Sequence, residues 1–156
     1  MANPTAEEPA DKDSSSQKCY LADTGLLITH TFPEQDSTEN ALYKDLFFHR
    51  IDCRNGMIME QAVAQMLRRN GHNLCFYSKN DNLHRENHIA IPFLIPDGNK
   101  ISPIDIKSLH YRSHASLDKF CRKFPDKCGT PYILYPGDVM EKDGILHLPL
   151  YMAMFL

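Results

Sequence analysis

The chain has 156 residues, 42% of them hydrophobic and 24% charged, enough apolar material for one domain that buries roughly 70% of its unfolded surface. A net charge of −3 excludes a global basic field, so strong non-specific DNA binding is not expected and any nucleic-acid contact has to come from a local patch. Five widely spaced cysteines (Cys19, Cys53, Cys75, Cys121, Cys128) include no C-x-x-C pair, and the chain carries no signal peptide and no apolar run of ~18 residues. These features suit free, mostly buried thiols in a reducing cytoplasm better than a disulfide framework or a structural zinc site, and support neither export nor a membrane span.

Residues 1–17, MANPTAEEPADKDSSSQ, are rich in Ala, Pro, Ser and acid with no apolar period, and read as a disordered leader. One domain is expected over 18–156. It opens with KCYLADTGLL, where Asp23-Thr24-Gly25 is a turn or cap signal. After the polar break 32–36, Ser37 is a candidate N-cap for an extra N-terminal helical segment carrying Leu42, Tyr43, Leu46 and Phe47.

The clearest helix is 56–70, GMIMEQAVAQMLRRN, stopped by Gly71 and carrying Arg68 and Arg69 in its last turn, where cations suit the helix dipole. At 100° per residue, Gln61, Gln65, Arg68 and Arg69 share a polar arc, whereas Glu60 falls with Met57, Val63, Ala64 and Leu67. A carboxylate on an apolar face requires a cation, a donor or water at the edge of the core.

Three strands are expected next, at 73–78, 88–95 and 100–109, the last two joined by a tight Asp97-Gly98 turn. In the third strand, KISPIDIKSL, Ile104 and Ile106 point one way and Asp105 and Lys107 the other. The carboxylate and the ammonium are roughly 6.6 Å apart along the strand, close enough to hold an ion, water or phosphate between them, or simply to form a surface ion pair. A helix at 117–124 stopped by Pro125, a short buried strand at 131–135 and an apolar ending, ILHLPLYMAMFL, complete the chain. A strand, crossover helix and strand imply at least one parallel pairing, so the fold class is mixed α/β.

Helix, three-strand meander, helix, strand, with an acid on the first helix and D-x-K on the third strand, is the layout of a restriction-endonuclease-like PD-(D/E)xK core. The blocks KCYLADTGLL, LYKDLFF…NGMIMEQAVAQMLRRNG, FLI…PIDIKS and LPLYMAMFL resemble the nuclease-like C-terminal domain, of unknown function, of prokaryotic AAA-type ATPases. No G-x-x-x-x-G-K-[ST] occurs, so the family's ATPase motor is missing and no ATPase activity is expected. The chain reads as a free-standing C-terminal domain, a split or truncated gene product, or a cut-down piece.

The resemblance implies roles. Asp105 and Glu60 would be ligands of Mg²⁺, Glu60 also holding water, and Lys107 would position the attacking water and stabilise developing charge. Relatives with the full motif read I-[DE]-F-L-I where this chain has Ile91-Pro92-Phe93-Leu94-Ile95, so proline replaces the central metal carboxylate and Mg²⁺ binding is expected to be weak or absent. Asp97 and Glu86 are too distant to substitute. Two readings remain open: a catalytically degenerate accessory domain that binds nucleic acid or a protein such as an ATPase, and a Mg²⁺-dependent DNA endonuclease with an altered site. Arg68, Arg112 and Tyr111 are candidate nucleic-acid contacts, against a solvated mixed-charge surface. The scattered histidines read as surface residues.

Overall fold

The computed structural model describes residues 17–23, 25–26, 55–79, 88–108, 111 and 113–156. The leader up to residue 16, the helical segment after Ser37, Glu86, His84, His110 and Arg112 therefore lie outside the described residues.

Helix α1 spans Asn55–Arg69 and ends as its sequence dictates. Gly71 adopts φ +88°, a left-handed conformation that lets the backbone N–H groups of Gly71 and His72 turn back onto the carbonyls of Arg68 and Leu67. The meander follows as β1 (Cys75–Lys79), β2 (Ile89–Asp97) and β3 (Lys100–Ile106). Helix α2 (Ala115–Lys123) crosses to β4 (Tyr132–Tyr135). Strands β5 (Met140–Lys142) and β6 (Ile145–Pro149) close the sheet, and a 3-10 helix, Leu150–Phe155, ends the chain.

The six strands lie in the order β1-β2-β3-β4-β6-β5. β1, β2 and β3 pair antiparallel, while β3–β4 and β4–β6 are parallel. The expected parallel pairing is present, and a second one joins it. β5 was not expected from the sequence, since three exposed residues, Met-Glu-Lys, carry no alternation. Its hairpin to β6 is formed by Asp143 (φ 55°) and Gly144 (φ 73°), the pair of positive φ angles that a two-residue turn between right-twisted strands demands.

Two cores flank the sheet. On one side Val63, Ala64 and Leu67 of α1 pack on Phe93, Ile95, Ile104, Leu134 and Leu148, with Ala153 of the terminal 3-10 helix beside them. On the other, Leu117 and Phe120 of α2 pack on Ile89, Ile91, Ile133, Tyr135 and Ile145. The apolar ending is thus a buried strand followed by a partly buried 3-10 helix, although Tyr151, Met154 and Phe155 of that helix stay exposed.

β2 crosses between the two cores. Ile89 and Ile91 face α2, whereas Phe93 and Ile95, at the same parity, face α1. The switch lies at Pro92: Tyr77 pairs with Ile91 and Cys75 with Leu94, so β2 spends one more residue than β1 over this interval, a β-bulge. Proline has no N–H to give to a ladder, and inside a central strand it is tolerated at a bulge. This bulge is the physical reason that 88–95 alternates poorly as a sequence.

The helical wheel is corrected at two positions. Gln61, placed by phase on the polar arc, is buried, and Met57, placed on the apolar arc, is 47% exposed. Residues 17–23 lie across α1: the Gln61 side-chain amide donates to the carbonyl of Leu21 and accepts from its backbone N–H at 3.1 Å. An amide that closes both backbone groups of a neighbouring extended segment has partners for its oxygen and for one N–H, which lowers the cost of its burial.

Candidate functional site

Asp105 sits on β3 between Ile104 and Ile106, which both pack toward α1, so its side chain leaves the sheet on the opposite side with Lys107. Lys107 Nζ lies 2.9 Å from Asp105 Oδ2. The other carboxylate oxygen accepts the backbone N–H of Ile106 at 2.8 Å. Asp105 is only 5% exposed. Burial pushes its carboxyl above the usual aspartate range; Lys107 and the Ile106 N–H oppose that shift without cancelling it, and the charge of Glu60 adds a small upward push.

Glu60 belongs to a different pair. Its Oε1 receives Lys18 Nζ at 2.7 Å and the Tyr20 hydroxyl at 2.7 Å. The Tyr20 ring packs tilted against Phe93, with ring centroids 5.6 Å apart, while its hydroxyl reaches the helix at Glu60. Burial first, and then the hydrogen bond to Glu60 and its charge, hold the Tyr20 hydroxyl protonated far above the normal range. Glu60 has thus found the cation and donor that its position on the helix required. Both come from the segment before the helix.

The D-x-K pair is brought together as the alternation predicts. Glu60 reaches Asp105 only through its electrostatic effect, each carboxylate being in contact with its own lysine. Pro92 stands where the central carboxylate is expected. The β2–β3 ladder runs from Asp97–Lys100 to Phe93–Ile104 and stops, so one further step in the same register would set residue 92 across from Asp105. Asp97 is at the far end of that hairpin, taken by the Ser102 hydroxyl at 2.9 Å, and does not substitute.

These residues do not suit Mg²⁺. The hard ion wants several free oxygens, but an ammonium occupies each carboxylate and the third position is proline. Among the described residues, no group of three or more His, Cys, Asp and Glu comes together.

The candidate nucleic-acid contacts separate. Arg68 is exposed on α1 and reaches Asn73 Oδ1 at 3.3 Å. Tyr111 packs with the core on the α2 side. There it meets His147, which corrects the reading of the histidines as surface residues. His147 is 1% exposed; its Nδ1 is 3.1 Å from the Ile145 carbonyl, which can only accept, so Nδ1 carries the proton and Nε2 accepts the Tyr111 hydroxyl at 2.5 Å. The signal was present: in ILHLP, His147 alternates with Ile145 on the inward face. His114, by contrast, is partly exposed and lies 3.4 Å from Asp118.

Asp105→Asn tests the raised carboxyl. The folded state binds this proton more tightly than the unfolded chain does, so Asp105 costs stability progressively as pH rises from the ordinary aspartate value through its folded value, and the cost is constant above that. The difference in urea-unfolding free energy, variant minus wild type, is expected to rise across that window and then level off in the variant's favour. A difference independent of pH would remove the assignment.

A mixed α/β domain with a six-stranded sheet and a buried, lysine-paired carboxylate on its third strand is the class defined here. The chain belongs to the family DUF4143, a domain of unknown function, which it matches over residues 55–152. No curated protein and no solved structure matches it significantly. No helix among the described residues is long and apolar enough to cross a membrane.

Proposed function

We propose that this is a restriction-endonuclease-like module of the kind that accompanies AAA-type ATPases, one that no longer cleaves phosphodiesters and acts in the cytoplasm as an interaction domain for nucleic acid or for an ATPase partner. The observation that carries the reading is a proline at position 92, at the β2 bulge and one step beyond the last β2–β3 pair, together with carboxylates already paired with Lys107 and Lys18. The order α1, three-strand meander, α2 and parallel β4 supports the nuclease-like core.

Hydrolysis of a phosphodiester needs a polarised phosphate and an activated water, and in this class both come from a metal held by two or three acids. Here an acid that would bind metal instead holds a lysine. An Asp105–Lys107 pair with no net charge also presents no repulsion to a phosphate backbone, which leaves the surface compatible with binding.

The test is a calorimetric titration with Mg²⁺ and Mn²⁺, run beside cleavage of labelled single- and double-stranded DNA by the wild type, Asp105→Ala and Lys107→Ala. The expected result is no cutting by any of the three. Metal-dependent cutting by the wild type that is lost in both variants would establish a nuclease and overturn the proposal.

A further inference from the structure

On the α2 side of the sheet lies a cavity of about 380 Å³ lined by Leu117, Cys121, Cys128, Pro131, Asp143 and Ile145, among others, and by neither Asp105 nor Glu60. Cys121 is in the last turn of α2 and Cys128 in the loop that follows. That loop is folded back on the helix end: Lys127 and Cys128 both donate backbone N–H groups to the Phe124 carbonyl, at 3.1 and 2.8 Å. It is also fixed to β3, since Ile101 N–H donates to the Lys127 carbonyl and Gly129 N–H to the Ile101 carbonyl. Two anchored backbones therefore hold both cysteines on the wall of this one cavity.

We propose that Cys121 and Cys128 form a reversible dithiol–disulfide site, closed by a low-molecular-weight disulfide that enters this cavity. The site is independent of the carboxylates and of the function proposed above.

The division of labour between the sulfurs follows from their surroundings. Burial, and then the neighbouring Cys128, push the Cys121 thiol up, so the first attack is assigned to Cys128, which lies in the loop outside the helix. Cys128 attacks one sulfur of the entering disulfide, forming a mixed disulfide and releasing one thiol. Cys121 then loses its proton to water and attacks the Cys128 sulfur, releasing the second thiol. The two cysteines are oxidised by two electrons and the small disulfide is reduced to two thiols. Asp118 and Asp143 contribute carboxylates to the cavity wall, which suits the ammonium ends of cystamine and makes it the probe of choice.

Wild-type protein is incubated with cystamine at neutral pH, and its disulfides are mapped by peptide mass spectrometry. The expected product is a Cys121–Cys128 cross-link, lighter by two hydrogens, with no cystamine half retained on either residue and full reversal by dithiothreitol. Cys121→Ser is expected to trap a stable adduct on Cys128, and Cys128→Ser to leave Cys121 unmodified. Closing a loop of about eight residues is also expected to raise the melting temperature by about 5 °C. The proposal is overturned if wild-type protein retains cystamine on Cys121 or Cys128. It is overturned equally if the pair stays reduced while the exposed Cys19 and Cys75 react, or if either sulfur cross-links to those cysteines instead. Should a serine variant fail to fold, the wild-type map decides alone.

Discussion

Pro92→Asp is expected to give the domain a divalent-cation response. Phe93–Ile104 is the last pair of the β2–β3 ladder, and one more step in that register sets residue 92 opposite Asp105, with Cα atoms about 5 Å apart. A carboxylate there confronts the Asp105 carboxylate, which is already short of solvent. Without metal the variant should be destabilised, because like charges directly across a ladder repel. With Mn²⁺ the two acids have a shared ion that can displace the Lys107 ammonium. Binding to the folded state alone stabilises by about 2.7 kcal/mol at one hundred times the dissociation constant, a rise in melting temperature of about 5–10 °C. Pro92→Ala separates this effect from the mere loss of proline, and Pro92→Asp with Asp105→Asn should abolish it. A melting temperature indifferent to Mn²⁺ in Pro92→Asp would mean that residues 92 and 105 do not face each other.

The largest loss of stability is expected from Phe93→Ala. Phe93 is 1% exposed, follows the bulge directly and lies between α1 and the sheet. Removing a fully buried phenyl ring costs about 3–5 kcal/mol, through lost burial and the cavity left behind. For a domain of this size that lowers the melting temperature by about 10 °C. The consequence extends beyond the core, because the Tyr20 ring rests on Phe93 and Tyr20 in turn positions its hydroxyl on Glu60. Hydrogen exchange at residues 18–21 is therefore expected to accelerate more than exchange in β6, which is held by its ladders to β4 and β5. A loss below about 1 kcal/mol, or unchanged protection of that segment, would show that Phe93 does not support the arm.

Much of the fold was legible in the chain because it is set locally. The apolar period of α1, its two terminal arginines and Gly71 define a helix and its stop, and the helix is found within one residue of the expected bounds. Ile104 and Ile106 alternate with Asp105 and Lys107, and the D-x-K pair forms as alternation requires. Other features were not legible. β5 is three exposed residues held only by its partner strand, and nothing local distinguishes Met-Glu-Lys from a loop. Gln61 looks polar and exposed until an arm forty residues upstream lies over it. His147 looked like one more scattered histidine until Tyr111, from a different connection, arrived at its Nε2.

The sequence by itself determined α1, α2 and strands β1 to β4, that at least one strand pairing is parallel, and that a carboxylate and an ammonium share one side of the third strand. Backbone sterics and side-chain periodicity act over a few residues and need no partner. Only the tertiary structure decided what each charge meets. Glu60 is held by Lys18 and Tyr20, Asp105 is buried deeply enough to raise its carboxyl, and β2 changes faces at Pro92. Pairing, burial and register depend on groups distant in the chain, and those contacts exist only once the sheet has closed.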